Sequence, residues 1–472
     1  MVIIKSSQTT YMQTNIASAG ISSDGKSFLF GISLTAALAG FIFGFDTVVI
    51  SGADKPIQEL WHTSPWFHGF FIMSMALWGT VVGALAGGIP TQKYGRKKVL
   101  IWIGILFTVS SIGSALAPNP YMFSFFRFIG GLGIGVSSVA APTYVSEIST
   151  ASSRGRLGAM YQFNIVFAIL LAYVSNYLLK GVGGNNDWRW MLGVMAIPSF
   201  IYSILVLGIP ESPRWLITKG RDAEAKKVLS KLGITNPDAE IALIKSGIQH
   251  EDIGGKKVAF ISRKHITILG LAFFVAFFNQ LSGINFILYY APRILESAGL
   301  AAKDSLLSSI TIGGTNLVFT FVGLYLIDRV GRKTLLLIGS FGYIVSLAAV
   351  ALCFYNHAEA GVLTTFLAMF IASHAIGQGA VIWVFISEIF PNKIRAMGQS
   401  FGAGTHWIFA AIITLISPVF IDEKNGILKD NPWPIFAFFS CMMVLQLVWV
   451  LTKVPETKGK ALEEIQQQLG IE

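Results

Sequence analysis

The chain has 472 residues, 53% of them hydrophobic and only 13% charged, with a mean hydropathy of +0.63. Soluble globular proteins carry roughly 25% charged residues, so this composition excludes that class and indicates an all-α polytopic membrane protein. The net charge of +10 is not a nucleic-acid footprint, because no basic stretch is separable from a membrane end, and it reports orientation instead.

Apolar runs of about 20 residues recur from Phe28 to Leu451, separated by short charged loops, and predict about twelve spanning helices. Residues 1–26 carry scattered Ser, Thr, Gln and Lys without the apolar core of a cleavable signal, so a cytoplasmic tail and a retained first helix are expected. In the first span Gly40, Gly44 and Gly52 permit close helix packing. Asp46 is the anomaly there, since a carboxylate in a span costs about 2.5–3.5 kcal/mol and needs a partner or a water-filled path. Arg127 in the fourth span is the candidate partner. The pair is either a working site or a locked salt bridge, and Arg127 could instead snorkel to the outer surface.

The fifth span contains Gln162. Trp188 and Trp190 follow where an interfacial aromatic belt is expected. Residues 27–209 thus form one six-helix half. Residues 210–264 mix apolar positions at helical spacing with many charges, which predicts a cytoplasmic linker with short helices. A second half over 265–453 and a cytoplasmic tail over 454–472 complete the chain. Lys93, Arg96, Lys97 and Lys98, then Arg154 and Arg156, Arg329, Arg332 and Lys333, and Lys393 and Arg395 concentrate in alternate loops. The positive-inside rule therefore sets both termini and the linker in the cytoplasm.

The second half repeats the first. Tyr94-Gly95-Arg96 corresponds to Val330-Gly331-Arg332, and Ser146-Glu147-Ile148 with Arg154 corresponds to Ser387-Glu388-Ile389 with Arg395, the copies lying roughly 240 residues apart. Two pseudosymmetric halves in the same orientation follow. Arg96, Glu147, Arg154, Arg332, Glu388 and Arg395 all fall at cytoplasmic helix ends. They are candidate gate charges that hold the halves together when the site faces outward; ordinary topogenic charge would explain the arginines but not the glutamates.

In the stretch FFNQLSGINFILYY, Phe277 to Tyr290, amides lie inside an apolar segment. In an unbroken helix Gln280 and Asn285 would point about 140° apart, but Ser282-Gly283 can loosen the helix and turn both to one cavity. Discontinuous helices at mid-membrane build ligand sites in transporters; the alternative is that the amides glue neighbouring helices. Asn316 in the eighth span, Trp383 in the tenth and the buried His406-Trp407 in the eleventh widen the set. Trp faces stack on the C–H surface of a pyranose while amides bind its hydroxyls, so Gln162, Gln280, Asn285, Asn316 and Trp383 suit a neutral polyhydroxylated ligand. No cluster of arginines joins them, which argues against an anion. The two cysteines, Cys353 and Cys441, sit in predicted spans, and the histidines show no recurring ligand spacing. No metal, cofactor or enzymatic constellation is expected.

On GFDTVVISG (Gly44 to Gly52), YGRK, the Glu147/Arg154 spacing, PESPRWL (Pro210 to Leu216), QLSGIN, DRVGRK, SEIFPNKIR and PETKG (Pro455 to Gly459), the chain resembles the sugar porter family of the major facilitator superfamily. The resemblance covers nearly all of the chain after the tail. It implies the major facilitator fold and a bacterial inner-membrane protein, acting as a monomer in the bilayer, that imports a pentose or hexose such as xylose or glucose with a proton. By the resemblance Gln162, Asn279, Gln280, Asn285, Tyr290, Asn316, Trp383 and His406 line the sugar pocket, with Trp407 beneath it, and Asp46 with Arg127 couples the proton. An aspartate whose distance from Arg127 changes during the cycle can take up a proton outside and release it inside.

Several positions depart from the family pattern. Asn279 stands for a second glutamine, Ile169 for a glutamine of the xylose symporters, and Gln92 for an acidic residue. His406 stands for Asn or Gln, and Ala380 for a proline, which is expected to stiffen the tenth span. The competing readings are a proton-independent facilitator and a non-transporting sugar sensor, the latter at odds with the short tails.

Overall fold

The computed structural model describes residues 23–149, 153–253, 260–391, 394–460 and 462–471, and among them every regular element is helical. The expected tail through residue 22, Lys393 and the side chain of Arg154 lie outside the described residues. Helix α1 (Ser23–Trp61) begins inside the segment expected to be tail. The chain returns through α2 (Pro65–Phe67), a π-helical turn over His68–Met73 and α3 (Met75–Ala86), which together make one span bent by 42°. Then come α4 (Gly88–Tyr94), α5 (Arg96–Leu116), α6 (Pro120–Ile148), α7 (Arg154–Leu179), and α8 (Asp187–Gly193) with α9 (Ala196–Gly208).

Three short helices follow, α10 (Pro213–Thr218), α11 (Asp222–Lys231) and α12 (Pro237–Ile253). They carry the periodicity read from the sequence: α11 buries Ala225, Val228 and Leu229 and exposes its charges. The second set opens with α13 (Ile266–Leu281) and α14 (Ile284–Ser297) and continues with α15 (Ala302–Val330) and α16 (Arg332–Tyr355). It ends with α17 (Ala360–Ile376), α18 (Gln378–Ile389), α19 (Arg395–Ile421), α20 (Trp433–Lys453) and the short α21 (Leu462–Gln468). Among the described residues 11 helical segments are long and apolar enough to cross a membrane, and the bent pair raises this to 12.

Local chemistry sets many of the boundaries. Asn119 accepts from the Met122 N–H at 2.9 Å with Pro120 in the first turn of α6, and Ser212 does the same for Trp215 with Pro213 in α10. The duplication is physical as well as sequential. Gly95 and Gly331 start α5 and α16 at φ of 95° and 104°, where a Cβ would be strained. Glu211 accepts the Arg96 and Lys97 N–H groups at 2.9 and 3.1 Å, and Glu456 accepts those of Arg332 and Lys333 at the same distances. A carboxylate against a positive helix N-terminus thus explains the glutamates of PESPRWL and PETKG.

Within the first half, α3 packs on α6 and α1 on α7, through glycines. A Cβ on Gly131 would fall on the Ala76 carbonyl oxygen, and one on Gly44 on that of Ile165. Lipid tails supply no hydrophobic contrast, so such close contact is what holds helices together. The two halves meet where α1 packs on α14, α3 on α19 and α7 on α15. Gly69 against the Leu415 carbonyl and Gly313 against Leu170 and Tyr173 make those crossings tight. Gly131→Val should therefore destabilise the detergent-solubilised protein by about 1–3 kcal/mol through overpacking, whereas Gly158→Ala, with open space at its Cβ, should leave the thermal midpoint unchanged.

Candidate functional site

Helix α13 stops at Leu281 because Gly283 adopts φ +84°, with Phe439 packed where a Cβ would stand. Ser282 satisfies the groups freed by the break, donating to the Asn279 carbonyl at 2.6 Å and accepting from the Ile284 N–H at 3.3 Å. The offset brings the two amides together, and Asn285 Nδ2 donates to Gln280 Oε1 at 2.9 Å. Gln280 Nε2 donates to Asn279 Oδ1 at 2.9 Å and lies 3.1–3.2 Å from the His406 ring nitrogens. Asn279, Gln280, Asn285 and His406 therefore form one chain of side-chain hydrogen bonds. The amides join α13 to α19, yet their donors and acceptors are those a hydroxyl can replace.

Aromatic faces flank this chain. The Trp383 ring lies 5.0 Å from that of His406 and remains 39% exposed, while Trp407 is buried and packs across the half interface on Phe43 at 5.6 Å. The tenth span breaks at Gly377 (φ −87°, ψ −102°), between α17 and α18. Gly377 approaches Gly339 closely at this break, where a Cβ would stand 2.8 Å from the neighbouring Cα. Tyr290 is buried at a kink in α14 and donates to the Thr414 carbonyl at 2.7 Å. Gln162 on α7 and Asn316 on α15 sit on the two helices that meet across the halves, and among the described residues neither hydrogen-bonds to the amide chain. Ile169 is buried.

Asp46 and Arg127, 1% and 2% exposed, form an ion pair inside the first half, with Nη1 to Oδ1 at 2.5 Å. Snorkelling of Arg127 is thereby excluded. Asp46 Oδ2 and Arg127 Nε have no hydrogen-bond partner among the described residues. Tyr289 of α14 lies within electrostatic reach of both charges, and the Tyr173 hydroxyl donates to the Leu288 carbonyl at 2.8 Å across the interface. Sequence reasoning missed both tyrosines. Their only sequence mark is aromaticity, which is common in spans.

The arginines that open α5 and α16 each pair with a glutamate of their own half. Arg96 donates to both Glu147 oxygens at 2.7 and 2.8 Å, and Arg332 to both Glu388 oxygens at 2.8 and 3.2 Å. Each pair lies within one half, so in this conformation neither bridges the halves. Arg395 donates to the Phe390 carbonyl at 3.4 Å.

The chain matches the family described as sugar (and other) transporter over residues 32–469. It is 32% identical to the D-xylose-proton symporter of Escherichia coli K12, covering 93% of this chain and 96% of that one. It is 33% identical to the arabinose-proton symporter of Bacillus subtilis 168, covering 94% and 96%. A solved structure of the E. coli xylose transporter XylE in a partially occluded inward-open conformation is 30% identical and superposes with a TM-score of 0.81, over 92% of this chain and 100% of that one. The chain belongs to the sugar transporter family and has the major facilitator fold.

Proposed function

We propose that this protein is a secondary active transporter that carries a monosaccharide, pentose or hexose, together with a proton across a bacterial inner membrane by alternating access. The observation that carries the reading is the coexistence of two separate polar sites within the span region. One is the neutral amide and aromatic cluster at the α13–α14 break, suited to sugar hydroxyls and to the C–H face of a ring. The other is the buried Asp46–Arg127 pair with a free carboxylate oxygen. Relatives named as xylose-proton and arabinose-proton symporters support the same assignment.

In this reading a sugar replaces the internal bonds of the Asn279–Gln280–Asn285–His406 chain and stacks on Trp383, with Trp407 below and Gln162, Asn316 and Tyr290 completing the wall. Exchanging one set of hydrogen bonds for another keeps the site satisfied when empty and when loaded. A proton on Asp46 cancels the charge that holds Arg127 and so loosens α1 from α6. Since α1 also packs on α14, the proton site and the sugar helix share one moving contact. The cytoplasmic charges Arg96, Glu147, Arg154, Arg332, Glu388 and Arg395 rearrange across the halves when the inner side closes. The protein acts as a monomer with both termini cytoplasmic, and requires no cofactor.

Proteoliposomes test this directly. With D-xylose, L-arabinose, D-galactose or D-glucose outside, the protein should alkalinise the external medium with at least one sugar. Asp46→Asn should abolish that signal while sugar exchange continues; sugar flux without proton movement in the unsubstituted protein would make it a facilitator. Gln280→Ala removes a donor and an acceptor from the amide chain and should raise the sugar Kd about tenfold or more, read by tryptophan fluorescence. Trp383→Ala should weaken binding similarly while leaving expression intact; lost expression instead would assign Trp383 to packing.

A further inference from the structure

At the end of α1 on the face opposite Arg96, three side chains cross to the second half. Asp54 Oδ2 lies 2.7 Å from Arg293 Nε on α14, and Arg293 Nη2 donates to Asp54 Oδ1 at 3.0 Å. The same Nη2 donates to Gln58 Oε1 at 2.6 Å, and Gln58 Nε2 donates to Asp422 Oδ2, just past α19, at 2.7 Å. Lys55 pairs with both Glu296 and Glu423. Asp54 and Arg293 are 1% and 3% exposed, so their attraction is poorly screened.

Asp54 is also held from behind. His68 Nε2 lies 2.7 Å from Asp54 Oδ1 and its Nδ1 2.9 Å from Thr63 Oγ1, which places the π-helical turn under the pair as a support. A cavity of about 200 Å³, lined by residues that include Ser51, Asp54, Lys55, Glu59 and Arg293, adjoins it. The cytoplasmic ends contrast with this arrangement, because Arg96–Glu147 and Arg332–Glu388 each stay within one half.

The position of this network ties it to the transport sites. Asp54 follows Asp46 by eight residues on α1, and Arg293 follows Asn285 by eight on α14, about 12 Å along each helix. The network therefore clamps together the two helices that carry the buried acid and the amide chain. We propose that Asp54 and Arg293 form an electrostatic latch that holds the outer side of the transporter closed, supported by Gln58, Lys55, Asp422 and His68, and that opening outward requires breaking it. This inference rests on the transport reading above.

The energetics predict a non-additive pattern. Neutralising Asp54 alone leaves the buried Arg293 guanidinium with only a more distant carboxylate, Asp422 at 3.8 Å, in the closed state, whereas the open state hydrates it. Removing both charges relieves that penalty, because a buried pair contributes little net stability compared with the cost of one unpaired member. The test uses Ser51→Cys, one turn below Asp54 in the same cavity, in a chain carrying Cys353→Ser and Cys441→Ser. A membrane-impermeant maleimide is added to intact cells, and labelling rates are compared.

Asp54→Asn should label about tenfold faster than the parent, and Asp54→Asn/Arg293→Gln should return toward the parent rate. Lys55→Gln, at a less buried position, should accelerate labelling severalfold and keeps the test available should Asp54→Asn fail to fold. Unchanged labelling in Asp54→Asn and Lys55→Gln would overturn the latch, as would a double variant as fast as the single one, since that result means lost packing. Sugar exchange measured on the same cells separates the two readings. Exchange with unchanged labelling removes the latch alone, and the expected labelling without exchange of any sugar removes the transport reading alone.

Discussion

A chain in hydrocarbon must satisfy its own backbone groups, and the sites of this protein exist where that rule is relaxed under control. At the α13–α14 break, Ser282 takes up the freed carbonyl and N–H, and Gly283 supplies a left-handed turn beside Phe439. That single discontinuity converts two divergent amides into neighbours 2.9 Å apart. The break at Gly377 sets Trp383 against the His406 ring, and the π-helical turn sets His68 against Asp54. Each irregularity gives a side chain a direction that a straight helix would not give it.

Charge is arranged in three levels along the helix bundle. At the ends that carry the repeated loop motifs, arginine–glutamate pairs and the Glu211 and Glu456 caps lock helices inside each half. Within the span of α1, Asp46 and Arg127 form a buried pair that is also internal to one half. At the opposite end, Asp54, Lys55 and Gln58 reach across to Arg293, Glu296, Asp422 and Glu423. Charges in a low-dielectric slab must be paired, and the choice of partner decides what is rigid and what can move. Pairs inside a half make a rigid body, and pairs between halves make a contact that depends on conformation. Rocking of one bundle against the other around a fixed site needs that division.

The half interface shows the same economy in packing. Gly69 on the Leu415 backbone and Gly313 on Leu170 and Tyr173 make the crossings between halves as close as those of Gly131 on Ala76 and Gly44 on Ile165 within the first half. The amide chain lies beside this interface, and Trp407 reaches over it to Phe43.

Hydropathy, loop charge and the long-period repeat were enough to derive the span architecture and the duplication, because lipid imposes a length and polarity rule on each segment by itself, and the short motifs carried the resemblance to the family. The amides at the helix break and the anomalous Asp46 were legible for the same reason, since a polar residue in an apolar run stands out locally. Local signals did not reach the partners. Nothing local pointed Glu147 to Arg96, 51 residues away, or Glu388 to Arg332, 56 residues away, and Tyr289 carries no mark that separates it from other span aromatics. Asp54 and Arg293 lie 239 residues apart in the chain. Nothing near either residue names the other, because their meeting is decided by how two folded halves dock, and only the tertiary structure holds that geometry.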